Sequence, residues 1–293
     1  MAGTLTVVDG GKVATRRQAS NDNEVVALWL HGRSPHTVRA YGHDAARFAT
    51  FAGVSLPAVT VGHVQDFADD LAASGLAAGS QGRALAAVKS LLSYGHRIGY
   101  LPFNVGAVVR LPPQKDTLAE RIMSAAAVRQ AIESEENPRN KLLLRVLYAT
   151  GCRVSEATGL RWRDVKARGD GGGQVTLYGK GGKTRAARLP ARLWSDLSAW
   201  RGDSEADAPV FAGRGGALTS SAVWRIVKNA GQRIGEPALS PHWFRHACAS
   251  HALDNGANVA LVRDTLGHAS LATTSRYAHA RPDDSAGLYL GDV

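Results

Sequence analysis

Five short segments in the second half of the sequence carry side chains suited to phosphoryl-transfer chemistry. A phosphodiester that is attacked by a side-chain oxygen gathers negative charge on its non-bridging oxygens, and guanidinium groups stabilise this charge through paired hydrogen bonds. We therefore predict that two arginines hold the reacting phosphate. The candidate residues are Arg153 in ATGCRVSE, Lys180 in YGKGGK, His242 and Arg245 in PHWFRH, His268 in LGHAS and Tyr277 in SRYAH.

Tyr277 is the expected nucleophile of this set. A phenol has an ordinary pKa of about 10, so at neutral pH it needs a base or a strongly positive site to lose its proton. His242 is predicted to accept that proton, and it shares a helix face with Arg245 because the two are three residues apart. Lys180, on a glycine-rich turn, is predicted to protonate the departing oxygen. His268 is predicted to donate a hydrogen bond to a phosphate oxygen.

The elements that must position these residues are mostly helical. Four helical patterns lie between residues 21 and 99, and two of them have start signals, Ser34 followed by Pro35 and, further on, Ser80. The segment QVTLYGKGGKTRAARLP alternates apolar and polar residues around glycines, which predicts a basic β-hairpin. Helices are predicted around it at 124–136, 138–150, 190–201, 219–234 and 240–254, followed by two short ones capped by Asn258 and Ser270.

Length and composition favour two globular domains with a polyanionic partner. The chain has 293 residues, is 44% hydrophobic and carries a formal charge of +10, and such a basic surface attracts phosphates. The prolines near residue 112 predict a linker. The expected division is a disordered arm at 1–20, a helical domain at 21–112, a linker at 113–119 and a catalytic domain with a C-terminal tail at 120–293.

The sequence lacks the features of a membrane-spanning, a disulfide-rich or a zinc-binding protein. The long uncharged stretch 48–62 contains glycine and proline, so no membrane span is predicted. Cys152 and Cys248 are too few for a disulfide framework, and we expect both in helices and the protein in a reducing cytoplasm. His246, Cys248 and His251 lack the spacing of a zinc site, so no metal is expected, and the two histidines are predicted to pack or face solvent.

The segments ATGCRVSEATGLRW, YGKGGKTRAARLP, SPHWFRHACASHAL and LGHASLATTSRYAH resemble the tyrosine recombinase (phage integrase) family in order and spacing. The resemblance spans roughly 120–280, and 21–112 looks like the family's core-binding domain. It implies a mainly α fold, with a four-helix SAM-like domain and a mixed α+β catalytic domain that is mostly helical with a small antiparallel sheet.

The resemblance also implies an activity. Its active site would be Arg153, Lys180, His242, Arg245, His268 and Tyr277. Family chemistry cuts one DNA strand to leave a 3′-phosphotyrosine and a free 5′-hydroxyl, without metal or cofactor. The implied partners are double-stranded DNA with an inverted-repeat, Xer-like core site and three further copies of the chain, with room for an accessory protein. The target sequence and the biological outcome stay open.

Several alternatives remain at this stage. The same residues would suit a monomeric type IB topoisomerase, or a DNA-binding protein that has lost catalysis. Arg153 alone could simply pair with Glu156, and Lys183 and Arg185 share the hairpin with Lys180. The apolar tail residues Leu288, Tyr289 and Leu290 are predicted to dock on a neighbouring protomer.

Overall fold

The computed structural model describes residues 6–9, 12–15, 18–112, 118–179, 182–268 and 270–279. The chain divides into two compact units, Met1–Lys115 and Asp116–Val293, and the division falls inside the predicted linker. Within the described residues, no helix has the length and apolar character needed to cross a bilayer.

The first unit begins with two short strands, β1 (Thr6–Asp9) and β2 (Lys12–Thr15), which pair antiparallel. The sequence predicted a disordered arm for residues 1–20, so the structure differs from that expectation in these two segments. Both strands are rich in valine and threonine, and β-branched residues favour an extended backbone. The expectation gave too little weight to that local preference.

Four helices form the rest of the first unit, as predicted. They are α1 (Asp22–Leu30), α2 (Pro35–Ala52), α3 (Val61–Ala73) and α4 (Ala78–Arg97). Ser34 caps α2 by accepting a hydrogen bond from the Thr37 amide. Fully buried aromatic and aliphatic side chains from α2, α3 and α4 form the core, with Phe48 and Phe67 in edge-to-face contact at 5.1 Å between ring centroids.

The start of α4 was predicted wrongly. Ser80 was expected to precede the helix, but the Ala77 carbonyl already accepts hydrogen bonds from the Ser80 and Gln81 amides. The helix therefore begins at Ala78 and Ser80 lies in its first turn. Alanine has the strongest helical preference of any residue, which allows the helix to start without a side-chain cap.

The described residues of the second unit contain eight helices: α5 (Ala125–Glu133), α6 (Pro138–Thr150), α7 (Val154–Gly159), α8 (Ala191–Arg201), α9 (Ser220–Arg233), α10 (Pro241–Asp254), α11 (Val259–Leu266) and α12 (Leu271–His279). The sequence analysis predicted all of them except α7, which is only six residues long. Cys152 was expected in a helix, but it lies in the connection between α6 and α7. Cys248 lies in α10, and both cysteines are free.

A small sheet lies among these helices. Strands β3 (Val165–Ala167), β4 (Gly173–Tyr178) and β5 (Thr184–Leu189) are antiparallel in the order β3-β4-β5. β4 and β5 are the predicted hairpin, with Val175 opposite Ala187 and both side chains buried. β6 (Ala212–Gly213) and β7 (Gly216–Ala217) form a second, shorter hairpin. The predicted mainly α fold with a small antiparallel sheet is confirmed.

Gly151 ends α6 and directs the chain toward Arg153. Its φ of +56° is in the left-handed region, which favours glycine because a Cβ there meets the following carbonyl. Space is also restricted, since a Cβ built on Gly151 would lie 2.3 Å from Leu266 Cδ2 and 3.2 Å from Cys248 Sγ. Only glycine allows α6, α10 and α11 to pack this closely.

We expect Gly151→Ala to destabilise the second unit by about 3 kcal/mol, through overpacking added to backbone strain. Urea unfolding measured by tryptophan fluorescence would show the loss. Gly159→Ala is the matched control, because Gly159 ends a helix without a positive φ and a Cβ there meets no atom within 4 Å. Equal stability of the two variants would contradict the packing argument.

Candidate active site

A buried carboxylate organises two arginines of the second unit. The Glu156 side chain is only 1% exposed, and Arg185 donates to it from both ends of its guanidinium, at 2.7 Å to Oε1 and 2.6 Å to Oε2. Arg153 donates its backbone N–H to Oε2 at 2.7 Å and its Nη1 to Oε1 at 3.0 Å. One glutamate therefore holds α7, whose first turn it occupies, against strand β5.

The same arginines, joined by Arg245, surround the C-terminal end of α11. Arg185 Nε donates to the Thr265 carbonyl at 2.7 Å, Arg245 Nη2 to Leu266 at 2.7 Å and Arg153 Nη2 to Gly267 at 3.4 Å. Carbonyls at a helix C-terminus lack helical partners and carry partial negative charge. Three successive carbonyls therefore accept from three guanidinium groups, which we call the arginine cluster (Arg153, Arg185 and Arg245).

Arg245 is the most enclosed member of the arginine cluster. Its side chain also donates to the Gly151 carbonyl, so it joins the end of α6 to the end of α11. Burial, followed by repulsion from Arg153 and Arg185, lowers the pKa of Arg245 to about 10, so it remains charged at neutral pH. Three cations face one carboxylate, and the excess positive charge favours an anion such as a phosphate.

Burial would raise the pKa of Glu156, but hydrogen bonds from Arg185 and from the Arg153 backbone outweigh it, and the pKa lies below its ordinary value. Glu156 is therefore a carboxylate at neutral pH. Sequence analysis mentioned this residue only as a helix partner of Arg153. The bond with Arg185, 29 residues further along the chain, carried no signal in the spacing.

Tyr277 lies in α12 with 4% of its surface exposed. Its hydroxyl is 2.7 Å from His246 Nδ1, and its ring lies parallel to that of His268, with 6.2 Å between centroids. Burial raises the pKa of Tyr277 despite the opposing effect of Arg245. A neutral, hydrogen-bonded phenol therefore lies next to the arginine cluster.

The histidine that is hydrogen-bonded to the Tyr277 hydroxyl differs from the one predicted. His242 was expected to accept the tyrosine proton, but the bond is made by His246, which was expected only to pack or face solvent. His242 and His246 are four residues apart and both lie on one side of α10, with ring centroids 6.4 Å apart. Their spacing could not show which of the two contacts α12, because that depends on how α10 and α12 pack.

His242 lies in the first turn of α10 with an exposed side chain. Its pKa is lowered by partial desolvation and then by Arg245 and Arg153, which places it in the electric field of the arginine cluster. It shares the helix with Arg245, as predicted from the spacing. The structure therefore brings Arg153, His242, Arg245, His268 and Tyr277 into one region.

His268 follows α11 directly, where Gly267 ends the helix with a φ of +66°. Its Nδ1 is 2.9 Å from the Thr274 hydroxyl. Burial, followed by Arg245 and Arg153, lowers the pKa of His268 to about 4, so the ring is neutral. When the Thr274 hydroxyl donates to Nδ1, the ring proton sits on Nε2, which leaves His268 a hydrogen-bond donor.

Lys180 and the C-terminal tail residues Leu288, Tyr289 and Leu290 lie outside the described residues. Gly179, which precedes Lys180, is described: its amide donates to the Lys183 carbonyl at 2.7 Å. A Cβ built on Gly179 would lie 3.4 Å from Glu156 Oε1. Gly179, the residue before Lys180, therefore lies against the carboxylate that holds Arg153 and Arg185.

The described residues contain neither a metal-binding cluster nor a reactive thiol. Among residues 18–112, 118–179, 182–268 and 270–279, no cluster of three or more His, Cys, Asp or Glu side chains could hold a metal ion. Burial raises the pKa of both the Cys152 and Cys248 thiols to about 11. The two cysteines therefore act as small apolar side chains that pack behind Gly151 and Arg153.

A tyrosine next to an arginine cluster on this mainly helical fold defines the class of protein, a tyrosine-type DNA strand transferase. Residues 116–283 match the Phage integrase family, and residues 27–98 match the Phage integrase N-terminal SAM-like domain. The chain belongs to the phage integrase family of tyrosine recombinases. The family resemblance seen in the sequence is thereby confirmed.

The curated relatives agree over nearly the full chain. Tyrosine recombinase XerC of Pelobacter propionicus is 35% identical over 271 residues, which cover 87% of this chain and 88% of that protein. Tyrosine recombinase XerD of Bifidobacterium longum is 34% identical over 285 residues, which cover 88% and 91%. These relatives support site-specific recombination, and they favour neither a topoisomerase nor a non-catalytic protein.

Solved structures share the fold at lower identity. The XerH site-specific recombinase bound to its palindromic difH substrate aligns with a TM-score of 0.70 and 21% identity, covering 93% of this chain and 84% of that one. A lambda integrase dimer bound to a COC′ core site also aligns with a TM-score of 0.70, at 18% identity, covering 90% and 95%. Both proteins were solved on DNA.

We expect Glu156→Gln to lower the free energy of unfolding by about 3 kcal/mol at neutral pH, because it leaves Arg185 buried without its counter-charge. The difference in free energy of unfolding between this variant and the unmodified protein should have its full size above the ordinary glutamate pKa of 4.5. It should shrink as the pH falls from there through the lowered pKa of the folded state, where the native carboxylate is also neutralised.

Urea unfolding at a series of pH values would measure this difference. Glu136→Gln is the control, because the Glu136 side chain is exposed and should contribute little. A Glu156→Gln effect that did not change with pH would contradict the assigned role of the carboxylate.

Proposed function

We propose that Arg153, Lys180, His242, Arg245, His268 and Tyr277 form the active site through which this enzyme breaks and rejoins DNA. The observation that carries the proposal is the position of Tyr277. Its buried ring lies parallel to that of His268, and its hydroxyl is hydrogen-bonded to His246 within the electrostatic influence of Arg245. A nucleophilic oxygen and a cluster of phosphate-binding cations are what attack on a phosphodiester requires.

In this mechanism Arg153 and Arg245 bind the non-bridging oxygens of the scissile phosphate. His242 and His268 add hydrogen bonds to the same phosphate. The Tyr277 oxygen gives its proton to a histidine of α10 and bonds to phosphorus, and the bond from phosphorus to the deoxyribose 5′ oxygen breaks, which leaves a 3′-phosphotyrosine. Lys180 gives its proton to the departing oxygen. The free 5′-hydroxyl of a partner strand then reverses the reaction, so the ester bond energy is kept.

The partner is double-stranded DNA that carries an inverted-repeat core site, and the active assembly is a homotetramer on two synapsed sites. The apolar tail residues Leu288, Tyr289 and Leu290 dock on a neighbouring protomer. The formal charge of +10 and the two free cysteines support a DNA-bound protein in the cytoplasm. Recombination by the relatives XerC and XerD supports the same substrate class.

The target can be found by covalent capture. Nicked duplexes whose two arms are randomised independently trap a cleaving enzyme, because the short fragment next to the nick diffuses away before it can religate. DNA recovered from the covalent complex would give the site. A captured population without inverted repeats would contradict the proposed core site.

We expect Tyr277→Phe to lose all covalent attachment to the captured duplex while its affinity for that duplex stays within about threefold, since only the nucleophilic oxygen is removed. Denaturing gels would measure attachment, and native gels would measure binding. Tyr178→Phe is a matched control from the same domain, because Tyr178 is exposed and its hydroxyl contacts Asp164 rather than the site. Attachment that survives in Tyr277→Phe would exclude Tyr277 as the nucleophile.

We expect Lys180→Ala to slow cleavage of ordinary DNA by roughly a hundredfold or more, as is usual for loss of a general acid. A duplex with sulfur in place of the 5′ bridging oxygen should restore most of the rate, because a thiolate leaves without protonation. Lys183→Ala, on the same turn, should retain the rate on both duplexes. Rescue of Lys183→Ala rather than of Lys180→Ala would move the acid to Lys183.

A further inference from the structure

The hydrogen bond between His246 and Tyr277 gives the nucleophile a partner that the six-residue site does not include. His246 Nδ1 lies 2.7 Å from the Tyr277 oxygen, and the two ring centroids are 5.6 Å apart. Their helices, α10 and α12, pack directly against each other. The phenol is 4% exposed, so solvent has little access to its proton.

Neither of the other two histidines of the site is placed to take that proton in this geometry. The His268 ring lies within 8° of parallel to the Tyr277 ring, and its Nδ1 is paired with Thr274. The lone pairs of an imidazole lie in the plane of its ring, so a stacked ring does not accept from its neighbour. His242 lies at the exposed start of α10 with its ring centroid 6.4 Å from that of His246, and the Tyr277 hydroxyl is hydrogen-bonded to His246 instead.

The surroundings of His246 keep its ring neutral. Desolvation, followed by His242, Arg121, Arg245 and Arg276, lowers the pKa of His246 to about 4. A neutral imidazole has one nitrogen free to accept. When Nδ1 accepts from the phenol, the ring proton sits on Nε2. His246 is therefore an acceptor without an additional positive charge before DNA binds.

We propose that His246 orients the Tyr277 hydroxyl and takes up its proton as the oxygen attacks phosphorus. This inference rests on the proposed function, since it needs Tyr277 as the nucleophile. The Tyr277 oxygen forms its bond to phosphorus, its proton moves to His246 Nδ1 and the phosphorus bond to the 5′ oxygen breaks. That oxygen takes a proton from Lys180. Religation returns both protons.

Binding of DNA favours this transfer. A phosphate held by Arg153 and Arg245 places negative charge among the cations that disfavour an imidazolium at His246. Opposite charge nearby raises the pKa of a histidine, so His246 becomes a stronger base when substrate is present. The proton is thus held on the tyrosine until the phosphate arrives.

The first test observes the unmodified protein in the absence of DNA. The ring nitrogens of ¹⁵N-histidine-labelled protein report which nitrogen carries the proton, and spectra of His246→Asn and His251→Asn assign the signals of these two of the three α10 histidines. We expect His246 to be protonated on Nε2 and unprotonated on Nδ1 at neutral pH. A proton on Nδ1 in the unliganded protein would overturn the proposal and leave the role of Tyr277 untouched.

The second test measures single-turnover cleavage of the captured nicked duplex. We expect His246→Ala to slow formation of the covalent complex by roughly a hundredfold, the usual contribution of a general base, with DNA affinity within threefold. His246→Asn should be intermediate, because its side-chain carbonyl accepts a hydrogen bond but takes up no proton. A rate for His246→Asn equal to that of the unmodified enzyme would exclude proton uptake.

His251→Ala is the matched control on the same helix. His251 bonds to the Tyr148 hydroxyl and the Met123 carbonyl, away from Tyr277, so its cleavage rate should stay within threefold of the unmodified enzyme. The 5′-sulfur duplex separates the two ends of the reaction, since it should rescue Lys180→Ala and not His246→Ala.

Two results separate this inference from the proposed function. If the unmodified enzyme attaches to DNA and His246→Ala attaches at a rate within threefold of it, the role of His246 alone is overturned. Attachment that persists in Tyr277→Phe would overturn the proposed function as well. The unfolding temperature of each variant should match that of the unmodified enzyme, so that the rates are compared between folded proteins.

Discussion

The second unit depends on the neutralisation of closely spaced guanidinium groups. Arg153, Arg185 and Arg245 would repel one another in a low-dielectric interior if nothing opposed their charge. Glu156 accepts four hydrogen bonds from two of them, and the end of α11 supplies three carbonyls to all three. These acceptors offset the repulsion among the guanidinium groups, and three cations beside one carboxylate leave an excess of positive charge.

The same field sets the state of the nearby histidines. His268 and His246 both have pKa values lowered to about 4, with desolvation as the first cause and neighbouring cations among the others. Neutral rings can donate from one nitrogen and accept at the other, which charged rings cannot. Burial and the arginine cluster thus keep both rings neutral.

Much of the fold was predictable because its signals are local. Ser34 and Pro35 marked the start of α2, and the alternation around the glycines of 179–182 marked β4 and β5. The short helix α7 and the strand β3 were missed because three to six residues give no period to recognise. The start of α4 was misplaced because alanine can begin a helix without the cap that Ser80 would have provided.

The sequence singled out a set of candidate residues, and the structure adds the contacts among those that it describes. Motif order identified the six residues, whose roles are proposed here. Arg185 bonds Glu156 across 29 positions and Tyr277 bonds His246 across 31. Such pairs are decided by how helices pack, and a choice between His242 and His246 four residues apart on α10 depends on that packing alone.

Arg245 illustrates why one basic residue cannot replace another here. Its two terminal nitrogens each bind a main-chain carbonyl, Gly151 on one side and Leu266 on the other, and each still has a second hydrogen. A planar group can thus brace two loops and present further donors outward at once. The tetrahedral ammonium of lysine has three hydrogens on a single atom, so at this position it would have to give up either the scaffold or the anion.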